Sequence, residues 1–404
     1  YAGFCDKVGN LLSRNGEYDV AVAMHQKAIS IRTALLGPDH EATASSFNNL
    51  GHVLQNKGDH RESLEAFTKA LEKHDLLFGA QHEKTASSYN NIGTILANQG
   101  DYDGALEKFE LALDIRQSVL EKGHPDFAAT YNNIGSLMKV KGEFDKALQA
   151  YQKGLSIQQG VHGERHPDTA RSYNNIAVTH HDKQEYKLAI SHHEKAVAIR
   201  EIVFGKSHQE TAESYTNMGN SLFCLGHLDD AMAAYQNALQ IEERFVINSH
   251  IAILRNNIGS VYFRQGNWDK ALTEYEAAMD TAVILFGKTE NVQMVECYTN
   301  VGLAWNKKGD WDKALRHFRT ALVMSTSTKG ADHPDTILAS KRVDTILKKK
   351  RTTRFIVVAA LSLVILLGYG LYSSKLVRQI FFWGVLFLLG WALLPESDSN
   401  QSSC

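Results

Sequence analysis

Small and aromatic residues recur along this chain at the spacing of one helix face. Ala105, Phe109 and Ala112 follow one another at intervals of four and three residues, which places their side chains on the same side of an α-helix. The pattern predicts an amphipathic helix whose small residues allow close approach of a partner helix while the ring fills the space beside it. The same order recurs at Ala147, Tyr151 and Gly154 and at Ala271, Tyr275 and Ala278.

A four-residue motif precedes these helices and defines the period of the chain. Its fullest form is two asparagines, isoleucine and glycine, and a turn glycine such as Gly100 or Gly142 follows seven residues later. Gln184 stands at this turn position in one copy. Each copy therefore predicts two helices joined by a tight turn. Successive motifs lie 42 residues apart, with intervals of 40 and 43 near the end, at 48–51, 90–93, 132–135, 174–177, 216–219, 256–259 and 299–302, after a degenerate copy at 6–9.

Eight copies of this unit extend over residues 1–326 and predict an all-α chain. A helical hairpin cannot bury its apolar side alone, so consecutive copies are expected to stack and cover one another. The sequence contains no glycine-rich phosphate loop, no HExxH motif and no GxSxG motif. We therefore predict no catalytic residue and do not expect an enzyme.

The repeat resembles the tetratricopeptide repeat, in which a small residue, alanine, an aromatic residue and alanine hold fixed positions. That unit commonly has about 34 residues. The longer unit found here, with linkers such as 123–126 and 165–170, looks like the kinesin light chain subclass. The resemblance implies a right-handed α-solenoid of about eight hairpins whose first helices line a concave groove. It also implies a protein-binding role, of which motor–cargo linkage is one form.

The second asparagine of the motif is the main candidate for contact with a partner. In tetratricopeptide domains the matching position faces the groove and holds the main chain of a peptide. An amide donates and accepts hydrogen bonds, so a row of asparagines suits an extended backbone. The alternative is that duplication copied one structural asparagine. The candidates are Asn49, Asn91, Asn133, Asn175, Asn217, Asn257 and Asn300.

The same register assigns further residues to the groove. The resulting wall is polar and carries few charges. It lacks the set of lysine, asparagine and arginine side chains with which some relatives hold a C-terminal carboxylate. We therefore expect the groove to bind extended internal segments of a protein partner. The further candidates are Asn90, Asn132, Asn174, Lys139 and Arg171.

Charge and histidine spacing limit the other classes of ligand. Residues 1–347 carry 36 basic and 43 acidic side chains, a net charge of −7, and nucleic-acid binding needs a basic face instead. Recurrent histidines are expected beside helix starts, because rings one hairpin apart cannot share a metal ion. No metal or cofactor site is predicted. The histidines at 42-residue spacing are His40, His82, His124, His166, His208 and His250.

The C-terminal part of the chain predicts a membrane anchor. A capping helix and basic linker are expected over 327–350, and the anchor over 351–395 has no acidic side chain. Apolar runs at about 355–372 and 380–394 predict a transmembrane helix followed by a second span or by an interfacial helix. Five basic residues before the first run and two between the runs place the repeats in the cytosol. A polar tail, 396–404, ends the chain.

These features predict a membrane-anchored adaptor or scaffold that binds an extended segment of a cytosolic protein in its groove. The kinesin light chain resemblance suggests a motor or cargo protein as one partner. The alternative is an assembly factor for a membrane complex, which would bind a folded partner through convex or edge surfaces. Substitution of the groove asparagines separates the two functions, because only the first needs them.

Overall fold

The computed structural model of this chain is helical throughout the part that it describes. Residues 1–245, 248–287, 292–368 and 383 are described, without the side chains of 292 and 364–368. Within these ranges there are 17 α-helices and no strand. The chain divides into two compact units, Tyr1–Lys206 and Ser207–Cys404.

The first unit consists of five helical hairpins. Each pairs a first helix with a second helix of 18 or 19 residues, and consecutive hairpins pack on one another. In chain order the helices are α1 (Ala2–Arg14), α2 (Tyr18–Leu36), α3 (Glu41–Lys57), α4 (His60–Phe78), α5 (Glu83–Asn98), α6 (Tyr102–Val119), α7 (Pro125–Val140), α8 (Phe144–His162), α9 (Pro167–Asp182) and α10 (Tyr186–Phe204).

The second unit consists of three hairpins and one unpaired helix. With the five hairpins of the first unit, these make the eight that the repeats predict. The helices are α11 (Gln209–Leu225), α12 (Leu228–Glu242), α13 (Ser249–Arg264), α14 (Trp268–Phe286), α15 (Val292–Lys307), α16 (Trp311–Lys329) and α17 (Pro334–Gly368).

The glycine of each motif lies against the ring of the second helix in the same hairpin. A Cβ atom added to Gly93 would lie 2.8 Å from the ring of Phe109, and one added to Gly135 would lie 2.7 Å from Tyr151. Such distances are shorter than van der Waals contact, so the ring can occupy this place only beside glycine. In the fifth hairpin Ala177 and His193, a smaller ring, hold the corresponding positions.

Buried polar side chains connect neighbouring hairpins of the first unit. In each case a residue near the end of a second helix bonds a serine or threonine 14 residues later, on the next first helix. The sequence analysis did not identify these contacts, which fix the register between hairpins because a buried polar group needs its partner. The pairs are Arg32–Ser46, His74–Ser88, Arg116–Thr130 and Gln158–Ser172.

Five of the six recurrent histidines begin helices, as expected. The Nδ1 atom of each accepts a hydrogen bond from the backbone N–H two residues later. His250 also lies beside a helix start, as the second residue of α13, but Asn248 caps that helix. The reason is the shortened repeat, because the motif interval of 40 residues moves the cap position from 250 to 248. The capping histidines are His40, His82, His124, His166 and His208.

The last helix, α17, takes the place of the first helix of a ninth hairpin. Val343 and Ile346 pack against α16. Lys350 forms an ion pair with Asp312, which repeats the pair of Lys308 and Asp269 one hairpin earlier. The turn glycine is missing, however. Gly309 lies in the turn that follows α15, and Arg351 occupies the equivalent position in α17. The helix therefore continues through the predicted basic linker to Gly368.

The predicted membrane spans lie only partly in the described structure. Among the described residues, no helix combines the length and the apolar character needed to cross a membrane. Residues 369–372 of the first predicted span lie outside the described residues, as does the second span, 380–394, apart from Trp383. The polar tail 396–404 also lies outside them.

Candidate functional site: the asparagine face of the first helices

The seven second asparagines occupy equivalent places on the first helices. Each lies two residues before the small residue that packs on the ring, and each side chain is half-buried. Half-burial places these amides at the surface of the hairpin stack, where they can bond a neighbouring hairpin or a ligand. They are Asn49 on α3, Asn91 on α5, Asn133 on α7, Asn175 on α9, Asn217 on α11, Asn257 on α13 and Asn300 on α15.

In the first unit these amides bond from hairpin to hairpin. Asn91 Nδ2 donates to Asn48 Oδ1 of the preceding hairpin at 2.7 Å. Asn133 Nδ2 donates to Asn90 Oδ1 at 3.0 Å. The second asparagine of one motif thus bonds the first asparagine of the motif before it, and we call this series the asparagine ladder. Each bond uses one amide N–H and leaves a second N–H and an oxygen.

The ladder recurs in the second unit with one change of partner. Asn300 Nδ2 donates to Asn256 Oδ1 at 2.9 Å. Asn257 Nδ2 donates instead to Asn220 Oδ1 at 3.2 Å. The change follows from the sequence, because Thr216 replaces the first asparagine of that motif and Asn220 lies one helical turn later.

The ladder is interrupted between the fourth and fifth hairpins. In the same register Asn175 would donate to Asn132, but the Asn175 side chain makes no hydrogen bond within the described residues. Asn132 is 9% exposed, and its Oδ1 atom has no partner there either. Asn132 Oδ1 is buried beside Gly154 of α8 and cannot be reached from the surface. The half-buried amide of Asn175 is therefore the group at this step that can bond a peptide backbone.

The remaining candidates differ in exposure and in partners. Asn90 is half-buried, whereas Asn174 is buried on α9. Lys139 is half-buried, with its Nζ 3.8 Å from Asp182. Arg171 is exposed and pairs with Asp168 at 2.7 Å. The two cations are therefore already neutralised by carboxylates, and this face is governed by hydrogen bonding.

A pocket of about 160 Å³ opens beside Asn133. Its walls come from α5, α6 and α7, and they combine apolar side chains with the hydroxyls of Thr94 and Ser136. Such a pocket has room for one apolar side chain of a peptide whose backbone bonds the neighbouring amides. The apolar walls, which were not predicted from the sequence, are Ala97, Tyr102, Phe109, Leu137 and Val140.

Histidines on the first helices add little charge. Burial lowers the pKa of His52 below its usual value, and burial likewise lowers the pKa of His181. Both rings are therefore neutral near pH 7. An uncharged face suits a neutral peptide backbone better than a charged terminus.

The comparisons with known proteins agree with this architecture. A family model described as tetratricopeptide repeat matches residues 6–73, 43–118, 126–201 and 173–244. A second model with the same description matches residues 251–291 and 295–335. A comparison with curated protein sequences found no match.

Solved structures provide the second comparison. BtubC (BKLC) from P. vanneervenii is 21% identical, with a TM-score of 0.50 over 58% of this chain and 92% of that chain. A tetratricopeptide repeat protein from Parabacteroides merdae is 17% identical, with a TM-score of 0.49 over 75% and 98%. A Podosopora anserina protein described as a kinesin light chain with nearly identical TPR-like repeats is 14% identical, with a TM-score of 0.46 over 52% and 99%. At these identities the likeness is one of fold alone.

Proposed function

Because this chain belongs to the tetratricopeptide repeat family, we propose that it is a protein-binding scaffold whose asparagine face holds an extended segment of a cytosolic partner. The partner is a protein segment rather than a small molecule or nucleic acid. The half-buried amide of Asn175, which makes no hydrogen bond within the described residues, carries this proposal. A peptide backbone has alternating N–H and C=O groups, which are the partners that this amide lacks.

The pocket beside Asn133 supports the same binding mode. It accepts one apolar side chain while the neighbouring amides bond the peptide backbone, so the preferred segment has an apolar residue flanked by small or polar ones. The likeness of the 42-residue repeat to kinesin light chains makes a motor or cargo protein a partner to examine first.

Replacement of Asn175 tests the proposal without breaking an existing hydrogen bond. A peptide selected from a displayed random library on the full chain is expected to lose at least tenfold in affinity for N175E, because the acid repels backbone carbonyl groups. Fluorescence anisotropy of the labelled peptide measures this loss. The matched control is N237E on the exposed face of α12, which should bind normally. Equal binding by N175E and the original chain contradicts the proposal.

We also propose that residues 351–395 attach the scaffold to a membrane, with the hairpins in the cytosol. The support is the exposed apolar surface of α17: Phe355 is 57% exposed, Val358 61% and Leu361 57%. Basic residues precede it directly, as expected for a segment entering a bilayer from the cytosol. In a membrane fraction washed with alkaline carbonate, the full chain should remain bound, and a chain ending at Lys350 should be released.

A glycosylation site in the tail distinguishes one span from two. An acceptor sequence placed within 396–404 becomes glycosylated if the chain crosses the membrane once and remains unmodified if it returns to the cytosol. Protease added outside sealed vesicles should digest the hairpins in either case. Protection of the hairpins contradicts the cytosolic orientation.

An edge surface favours a second function, that of an assembly factor for a membrane complex. An exposed aliphatic residue recurs every 42 residues near the ends of the second helices, so the five hairpins offer the same apolar contact point to a folded partner. If the chain is an assembly factor, serine at three of these positions should abolish binding of a folded complex and leave peptide binding unchanged. If the chain is only a peptide-binding scaffold, the same substitutions should change neither kind of binding. The residues, with their exposures, are Leu35 (77%), Leu77 (40%), Val119 (40%), Val161 (46%) and Val203 (38%).

A further inference from the structure

Three potential metal ligands come together in the linker between the fourth and fifth hairpins. His162 is the last residue of α8, His166 caps α9, and Asp168 lies in the first turn of α9. One nitrogen of each ring and one carboxylate oxygen lie within 4.8 Å of one another. Among the described residues, this is the one group of three such side chains at these distances.

Comparison with the other repeats shows what is special about this linker. Phe78 occupies the position of His162 two hairpins earlier, and its ring stacks on His82 with centroids 4.5 Å apart and planes at 17°. The rings of His162 and His166 stack in the same way, at 4.2 Å and 17°. An imidazole has therefore replaced a packing ring without changing the local geometry. Lys84 stands at the position of Asp168 in the earlier linker, so that linker lacks both extra ligands.

We propose that His162, His166 and Asp168 bind a divalent transition-metal ion, with Zn²⁺ the best match. Two neutral imidazoles and one carboxylate form a common set of three zinc ligands, and water or a further ligand takes the fourth position. The sequence predicted no metal site, because histidines one repeat apart cannot share an ion; these two histidines, however, lie within one linker. The ion would join the end of the fourth hairpin to the start of the fifth.

The distances require only a local adjustment. His166 Nδ1 lies 3.6 Å from an Asp168 carboxylate oxygen, close to the roughly 3.4 Å between ligand atoms of a tetrahedral site with bonds of about 2.1 Å. The two rings must turn out of their stack, because a metal ion lies in the plane of each imidazole that binds it. His162 is exposed at the end of its helix, so its ring has room to turn.

Two existing contacts compete with the metal. The lone pair of His166 Nδ1 now accepts the N–H of Asp168 at 3.2 Å, and Arg171 pairs with the Asp168 carboxylate at 2.7 Å. Loss of a capping bond weakens binding by roughly fivefold. Both contacts lower the affinity for the metal, which we therefore expect to lie in the micromolar range.

Calorimetric titration of the full chain with Zn²⁺ at pH 7.5 tests this site. One strong equivalent is expected, and H162F should weaken it at least tenfold, because Phe78 shows that phenylalanine fits this position. The control is H227F, which removes an exposed histidine elsewhere and should bind like the original chain. D168N is the second variant, since it removes the ligand charge but keeps the backbone N–H that His166 caps. It should also weaken binding at least tenfold.

The outcomes are distinct. Absence of a strong equivalent in the original chain overturns the proposal, as does unchanged binding by both H162F and D168N. If circular dichroism shows that H162F is misfolded, D168N alone decides. Visible absorption of bound Co²⁺, which reports a four-coordinate site, should appear in the original chain and be lost in both variants.

Discussion

At the residue scale, the packing of seven of the eight hairpins depends on a glycine that has no Cβ atom. Seven motif glycines lie so close to a ring of the second helix that a Cβ atom would come within 2.6–2.8 Å of it. The ring and the glycine therefore act as a pair, and in the fifth hairpin Ala177 and His193 hold these two positions.

Replacement of Gly135 by alanine should lower the free energy of unfolding by about 1–3 kcal/mol, because the methyl group would overlap the ring of Tyr151. Urea denaturation followed by circular dichroism measures the change. Gly160, inside α8, is the matched control: no atom lies within 4 Å of its added Cβ. G160A should raise the free energy of unfolding by about 0.5–1 kcal/mol. A similar effect of both substitutions contradicts the explanation.

His193 should make the stability of the fifth hairpin sensitive to acid. Its side chain is 1% exposed, and neither ring nitrogen has a hydrogen-bond partner among the described residues. Burial, aided by nearby His181 and His192, lowers the pKa of His193 to about 3. The unfolded chain, with a pKa near 6.5, binds the proton first. The free energy of unfolding should therefore fall as the pH drops from about 6.5 toward 3.

The double variant A177G/H193F tests this prediction. It recreates the glycine–phenylalanine pair of other hairpins, so its thermal unfolding should depend less on pH between 7 and 5 than that of the A177G control. H193F alone should be less stable than the double variant, because its larger ring meets the Ala177 methyl group. An equally steep pH dependence in A177G/H193F would assign the acid sensitivity to other groups.

The sequence predicted which residue types pack together within a hairpin. It did not predict which side chains form hydrogen bonds between hairpins. The spacing of Ala105, Phe109 and Ala112 indicated a shared helix face, and the structure buries all three. The ladder bonds could not be predicted, because each depends on the register between hairpins. Where Thr216 replaces the first asparagine, the bond goes instead to Asn220, one helical turn later.

At the scale of the elements, the turn between the two helices of a hairpin favours glycine. Gly100 and Gly142 have φ angles of 85° and 76°, and Gln184 has 62° at the same position. A residue with a Cβ atom is strained in this left-handed region. Gln184 is the exception to glycine at this turn in the sequence, and its positive φ angle shows that the turn keeps its shape without glycine.

Replacement of Gln184 by glycine should raise the free energy of unfolding by about 0.5–1 kcal/mol. Relief of the strained backbone outweighs the additional entropy of glycine in the unfolded chain. Chemical denaturation measures the change, and Gln184→Ala serves as control, since alanine keeps the Cβ atom and should give no such gain. A loss of stability in Q184G would mean that the Gln184 side chain, and not the turn, determines the outcome.

At the scale of the whole molecule, a repeat that is visible in the sequence predicts the fold, because each hairpin has an apolar side that only a neighbouring hairpin can cover. The 42-residue interval predicted eight hairpins, and the structure contains them. The division into two units is not visible in that interval. The continuity of α17 was also missed, since the sequence analysis looked for a linker where the turn glycine is absent.

The continuity of α17 can be measured directly. Spin labels at Asp344 and Val358, both exposed, should lie roughly 21 Å apart along the helix axis, because 14 residues each advance by about 1.5 Å. The native cysteines are replaced by serine in this experiment. Pulsed electron paramagnetic resonance should give one narrow distance distribution. A broad distribution would indicate a hinge near Arg351.

A helix of 35 residues is roughly 52 Å long, and its first half is built into the core of the second unit through Val343 and Ile346. It is therefore a rigid connection without a hinge. Whatever binds the C-terminal part of α17 also fixes the orientation of the hairpin formed by α15 and α16. A partner of that hairpin can then approach only from the side that this orientation leaves open.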